Sequence, residues 1–145
     1  MAVLAACGGT GDPDQSEPAF IVVGGDTLQL SAGARVTEVT VRAGHEPEFE
    51  PARVAARPGD VVRIESLDGG PHALAFDLAT MDAASRSFLE TSAQLRGPPL
   101  LSPGATWILR FDEASASGYV IRCLTHGAEL AVSVESQLAR PPGRK

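Results

Sequence analysis

Residues 118–126 read Gly118-Tyr119-Val120-Ile121-Arg122-Cys123-Leu124-Thr125-His126. The first half is a strand. After a Ser117-Gly118 turn come aromatic and β-branched residues, which suit a pleated, half-buried surface. The second half puts a thiol and an imidazole three positions apart, where the strand runs out. Alone, Cys123 reads as a buried, inert small residue, and a single C-x-x-H is a weak signal. A second imidazole, His72, stands 51 positions upstream of Cys123 in Gly70-Pro71-His72-Ala73. The rest of the chain decides whether these three side chains can meet.

Working outward, the chain alternates short apolar runs with turn residues. Leu130–Val134 and Trp107–Phe111 read as strands on either side of the central stretch, and His72–Phe76 as another. Pro58-Gly59-Asp60 is a tight turn followed by the strand Val61–Glu65. Phe49–Arg57 is extended, and Pro51 places it at an edge or bulge. Arg35–Ala43 is a strand carrying Val36, Val39 and Val41, closed by the turn Gly44-His45-Glu46-Pro47. Ala19–Leu30 is apolar enough for a strand but is broken at Gly24-Gly25. Leu78–Leu95 differs: Leu78, Met81, Phe88 and Leu95, with Ser85 and Ser92, predict one amphipathic helix started by Thr80 or Asp82 and ended at Gly97-Pro98-Pro99. About seven short strands and one short helix inserted between them predict an all-β sandwich or barrel.

The bulk properties narrow the function. The 145 residues suffice for one domain plus tails, and 43% hydrophobic with 21% charged residues is ordinary for a globular protein. A net charge of −6 argues against nucleic acid as a partner, because phosphate binding needs a basic face. No apolar stretch reaches the length of a membrane-spanning helix. Asp68 and Asp77 are too few for paired-carboxylate catalysis, and no nucleophile–base pair stands out. His45 is assigned no role, and Trp107 and Tyr119 read as packing aromatics.

At the N-terminus, Leu4-Ala5-Ala6-Cys7 resembles a bacterial lipobox, in which the cysteine is lipidated. The match is truncated: six residues, none basic, precede Cys7, where a full signal carries a basic region and an apolar run of roughly 7–15 residues. A polar run to Pro18 suits a tether. The expected organisation is a lipoprotein signal over 1–7, a linker and leading segment over 8–34, a domain over 35–136 and a disordered basic tail over 137–145. The expected location is periplasmic or cell-surface in a bacterium, held to the membrane through a lipid on Cys7.

One thiolate and two imidazoles form the donor set of a trigonal copper electron-transfer site. At this point the spacing resembles the cupredoxins, the small blue-copper proteins, in their plastocyanin-like form. The likeness covers roughly Phe49 to Glu135. It rests on Phe49–Val54 with Pro58-Gly59-Asp60-Val61-Val62, on Gly70–Asp77, on Ser102-Pro103-Gly104, and on Gly118–His126. It implies a Greek-key β-sandwich with one type 1 copper ion at one end, held by His72, Cys123 and His126. It implies an electron carrier rather than an enzyme, serving redox protein partners through the edge of His126. The alternative is a copper-binding or copper-delivery module, or a metal-free one. Leu67, Pro71 and Leu124 are expected to shield the metal.

Two departures stand out. The family usually places a weak axial methionine shortly after the second histidine, and here the place falls to Glu129 or Leu130. Leu130, if it faces copper, leaves a three-coordinate site and a raised potential, whereas Glu129 supplies a hard oxygen and lowers it. Strand alternation turns Leu130 inward. The third possibility is a site that binds no copper. Ala73 replaces an asparagine that braces the ligand loops in many relatives. Its backbone N–H is left to donate to the Cys123 sulfur.

Overall fold

The computed structural model describes residues 20–23, 26–30 and 32–136. The lipobox with Cys7 and the tail over 137–145 lie outside the described residues. The chain divides into two units, Met1–Ala32 and Gly33–Lys145. In the first, β1 (Phe20–Val23) pairs antiparallel with β2 (Asp26–Gln29), with Phe20 opposite Gln29. The expected break at Gly24-Gly25 therefore falls between two paired strands.

The second unit is a two-sheet sandwich. One sheet has β3 (Val36–Arg42), β4 (Glu48–Glu50), β6 (Asp60–Ser66) and β8 (Thr106–Phe111), in the order β4-β3-β6-β8. The other has β5 (Arg53–Ala56), β7 (Leu74–Phe76), β9 (Ser115–Cys123) and β10 (Glu129–Val134), in the order β5-β10-β9-β7. The chain crosses repeatedly between sheets, so β3 and β6 pair in parallel, as do β5 and β10. This is the all-β sandwich expected from the strand pattern, with the Greek-key connectivity that the family resemblance implied.

Alternation builds the core. Val39 and Val41 of β3, Ile64 of β6, Leu109 and Phe111 of β8, Ile121 of β9 and Leu130 and Val132 of β10 are all buried in one cluster. Burying each such side chain contributes about 1.5–3 kcal/mol, whereas an exposed ion pair such as Arg63–Glu38 contributes about 0–1 kcal/mol. The apolar pattern, not surface charge, holds the sheets together. Trp107 and Tyr119 are buried here too, each edge-on to Phe76. At Pro58-Gly59-Asp60, Gly59 has φ +95°, a conformation that favours glycine. Buried Asp60 accepts the Arg35 and Arg57 N–H groups, each at 2.9 Å.

Four local expectations are corrected. Phe49–Arg57 is not one extended segment. It divides near Pro51, which lacks the N–H a continuous ladder needs, into β4 and β5, which lie at the edges of different sheets. Ser117-Gly118 is not a turn but lies within β9, where Gly118 has φ +67° opposite a register shift in β10. The strand expected from His72 starts at Leu74. The helix is shorter than its apolar spacing implied: a 3₁₀ turn (Leu78–Thr80) precedes α1 (Ala83–Thr91). Asp82 is the N-cap, accepting the Ser85 N–H at 2.7 Å. Ser85 and Leu89 are the buried residues of α1, while Leu78, Met81, Phe88 and Leu95 are only partly buried.

Candidate metal centre

Cys123 is the last residue of β9. Alternation from Tyr119 through Ile121 turns it inward, and it is 1% exposed. The chain then reverses in a tight turn. Gly127 N–H donates to Cys123 O at 2.7 Å, and Cys123 N–H donates to Ala128 O at 2.9 Å. Gly127 takes φ +82°, which the reversal needs and which any other residue would resist. This turn folds His126 back over the end of the strand.

His72 arrives from a different direction. It precedes β7 and exchanges two backbone hydrogen bonds with Leu100: His72 N–H to Leu100 O at 2.9 Å, and Leu100 N–H to His72 O at 3.0 Å. Both residues are fully buried. β7 lies beside β9 with Leu74 opposite Cys123, so His72 is delivered to the end of β9.

The result is a compact triad. His72 Nδ1 lies 3.7 Å from Cys123 Sγ, and His126 Nδ1 lies 3.5 Å from it. The rings of the two histidines are 5.0 Å apart between centroids. The three ligand atoms all lie within 4.8 Å of one another. His72 is fully buried and His126 only partly so. Bonds of about 2.0–2.3 Å to a central ion, spread at roughly 120°, put sulfur and nitrogen about 3.7 Å apart. The observed separations match that spacing, and a His₂Cys set in this arrangement suits copper.

Three supporting contacts had not been singled out from sequence. Asp68 Oδ1 lies 2.7 Å from His72 Nε2. This hydrogen bond is the main cause holding the Asp68 carboxyl below its ordinary range, with the Ala43 N–H adding to it. Leu100 pairs with His72 as described. Thr125 Oγ1 accepts the Ala73 N–H at 3.2 Å, and Leu124 N–H donates to Ala73 O at 2.8 Å. The Ala73 N–H thus goes to a hydroxyl of the facing loop rather than to the sulfur, and Thr125 supplies the brace that Ala73 lacks. Asp68 stands four residues before His72, the one hint of its role that the sequence offered.

The remaining candidates divide by exposure. Glu129 is exposed and lies 3.0 Å from Arg122, which also pairs with Asp77 at 2.9 Å. Leu130 is fully buried and opposite Ile121. Leu67 and Leu124 remain 52% and 69% exposed and present apolar surface to solvent. His45 is exposed in its turn.

No family model matches the chain. It is 31% identical over 104 residues to the chloroplastic plastocyanin of Tetradesmus obliquus, covering 72% of this chain and 68% of that protein. Oxidised plastocyanin from the fern Dryopteris crassirhizoma is similar in fold, with TM-score 0.53 and 20% identity, over 68% of this chain and 100% of the fern protein. A purple cupredoxin from Nitrosopumilus maritimus aligns with TM-score 0.50 and 17% identity, over 68% of this chain and 98% of that one.

Proposed function

This chain belongs to the cupredoxin family, and from that premise we propose that it is a mononuclear type 1 copper protein carrying single electrons between redox partners outside the cytoplasm. The observation that carries the reading is the convergence of His72 Nδ1, Cys123 Sγ and His126 Nδ1 within 4.8 Å at one end of the sandwich. Bound copper supplies a one-electron couple between Cu(I) and Cu(II).

The protein's own residues would do the rest. Cys123 offers a soft thiolate, and the two imidazoles offer donors that suit both oxidation states. The backbone bonds from His72 to Leu100, and those closing the 123–128 turn, hold the donors in place, so that little has to move when the charge changes. Burial of His72 and Cys123 keeps water from that side. Partly exposed His126 gives partners an edge to approach. Leu130 is proposed for the axial position, since it is buried and Glu129 is already paired with Arg122.

The extracytoplasmic, lipid-anchored part of the proposal rests on Leu4-Ala5-Ala6-Cys7 alone. Mass spectrometry of protein recovered from bacterial membranes tests it: a diacylated Cys7 is expected, and an unmodified one sinks the anchor.

The copper reading is tested by adding Cu(II) to the purified protein and recording the visible spectrum. An intense thiolate-to-copper band that disappears in Cys123→Ser is expected. A colourless protein whose copper affinity is untouched by Cys123→Ser removes the carrier function. Tight, colourless binding that depends on all three residues favours a delivery role instead.

A further inference from the structure

We infer that Asp68 is a positioning residue for His72, fixing which imidazole nitrogen faces Cys123 and biasing the site toward the higher charge state of a bound metal. The inference rests on the copper reading for its second half only.

The geometry is specific. The His72 ring is fully buried, and its Nε2 lies 2.7 Å from Asp68 Oδ1. An ionised carboxylate can only accept, so Nε2 must carry the ring proton of the neutral imidazole. That leaves Nδ1, 3.7 Å from Cys123 Sγ, with its lone pair free. The carboxylate is itself held. Asp68 Oδ2 accepts the Ala43 N–H at 2.6 Å, and Oδ1 also accepts the Gly70 N–H at 3.2 Å. The buried Ser66 hydroxyl donates to Asp68 O at 2.9 Å. Asp68 therefore ties the end of β3, the 66–70 loop and the imidazole into one hydrogen-bonded unit.

Two consequences follow. First, the tautomer of His72 is set before any metal arrives. A carboxylate behind a ligating imidazole also strengthens that imidazole as a donor. Second, a fixed negative charge one imidazole away from the ion favours Cu(II) over Cu(I). Asp68 lowers the reduction potential, against the rise expected where Leu130 stands in place of a methionine.

The experiment has two arms. In the first, nitrogen-15 NMR of the copper-free wild-type protein at neutral pH reads the His72 tautomer. A protonated Nε2 with a slowly exchanging proton is expected, and a protonated Nδ1 overturns the inference. In the second, the potential of the copper-loaded protein is compared among wild type, Asp68→Asn, Asp68→Ala and the ion-paired control Asp77→Asn. Both Asp68 variants should weaken the preference for Cu(II) by about tenfold, a rise of roughly 59 mV for one electron. The Asp77 variant should change it far less, because that carboxylate faces Arg122. An unchanged potential in a fully coloured Asp68 variant overturns the inference, and so does an equal rise in Asp77→Asn. Should the Asp68 variants fail to fold, the wild-type tautomer decides. Should the protein take up no copper, the carrier reading fails and the tautomer again decides the role of Asp68.

Discussion

The hydroxyl of Thr125 accepts the backbone N–H of Ala73 at 3.2 Å, across 52 positions of sequence. With the Leu124 N–H donating to Ala73 O at 2.8 Å, it closes the gap between the loop carrying His72 and the loop carrying Cys123 and His126. Thr125→Val keeps the shape and removes the acceptor. The bond is exposed, so the loss in stability should be small, about 0.5–1 kcal/mol by denaturant unfolding. Hydrogen exchange at Ala73 should rise clearly. Unchanged exchange there would show that the two loops are held without Thr125.

The axial position is open to a direct test. Leu130→Met conserves volume in the core and should cost less than about 1.5 kcal/mol. If the side chain of residue 130 faces the metal, the added sulfur lowers the potential of the copper-loaded protein. Glu129→Gln should leave the potential close to wild type, since Glu129 is exposed and paired with Arg122. A large shift in Glu129→Gln with none in Leu130→Met reverses the assignment.

Gly97 lies flat against the indole of Trp107. A Cβ there would fall 2.5 Å from Trp107 Cδ2 and 2.6 Å from Cε2. Trp107 is buried and cannot swing aside, so Gly97→Ala should destabilise the fold by about 1–3 kcal/mol. Thermal unfolding followed by the emission of Trp107, the one tryptophan of the chain, reads both the loss and the displaced ring. An unshifted midpoint and spectrum would mean the contact is looser than the geometry states.

Asp82 joins α1 to β9. Its carboxylate accepts the Ser85 N–H at 2.7 Å and the Ser117 N–H at 3.1 Å. The Ser85 N–H is the main cause holding its pKa below the ordinary carboxylate value. A carboxyl whose pKa is depressed by folding stabilises the native state above its unfolded pKa, and that stabilisation is lost as pH falls through the folded value. Wild type should therefore lose its advantage over Asp82→Asn progressively below about pH 4. Unfolding midpoints of the two proteins between pH 7 and pH 3 check this, and a constant gap across that range would count against it.

Much of this protein was legible in its sequence. Apolar alternation placed the strands of the sandwich, because period-two burial is local and each strand declares its own inward face. Cys123 and His126 could be read together, since a strand end and a glycine turn bring them close over three residues. The edge placement of the strands flanking Pro51 was legible as well, with Pro51 itself in the bend between them. The helix was overestimated for a related reason. Leu78, Met81 and Leu95 pack partly against the core from outside α1, and spacing alone does not distinguish a helix face from a chain draped across a surface.

Tertiary structure alone decided the rest. Nothing local says that Phe49–Arg57 changes sheets, that Leu100 pairs with His72, or that Thr125 replaces the missing brace at Ala73. These are contacts between segments far apart in sequence, and their cost in chain entropy is met only once the two sheets have closed. Of the two cysteines and three histidines in the chain, the sequence by itself marked Cys123, His72 and His126 as the donor set, with no methionine shortly after His126. Which nitrogen of His72 faces the sulfur and which carboxylate stands behind that ring are matters of packing. Both follow from β7 lying beside β9 and from the 66–70 loop folding back on His72.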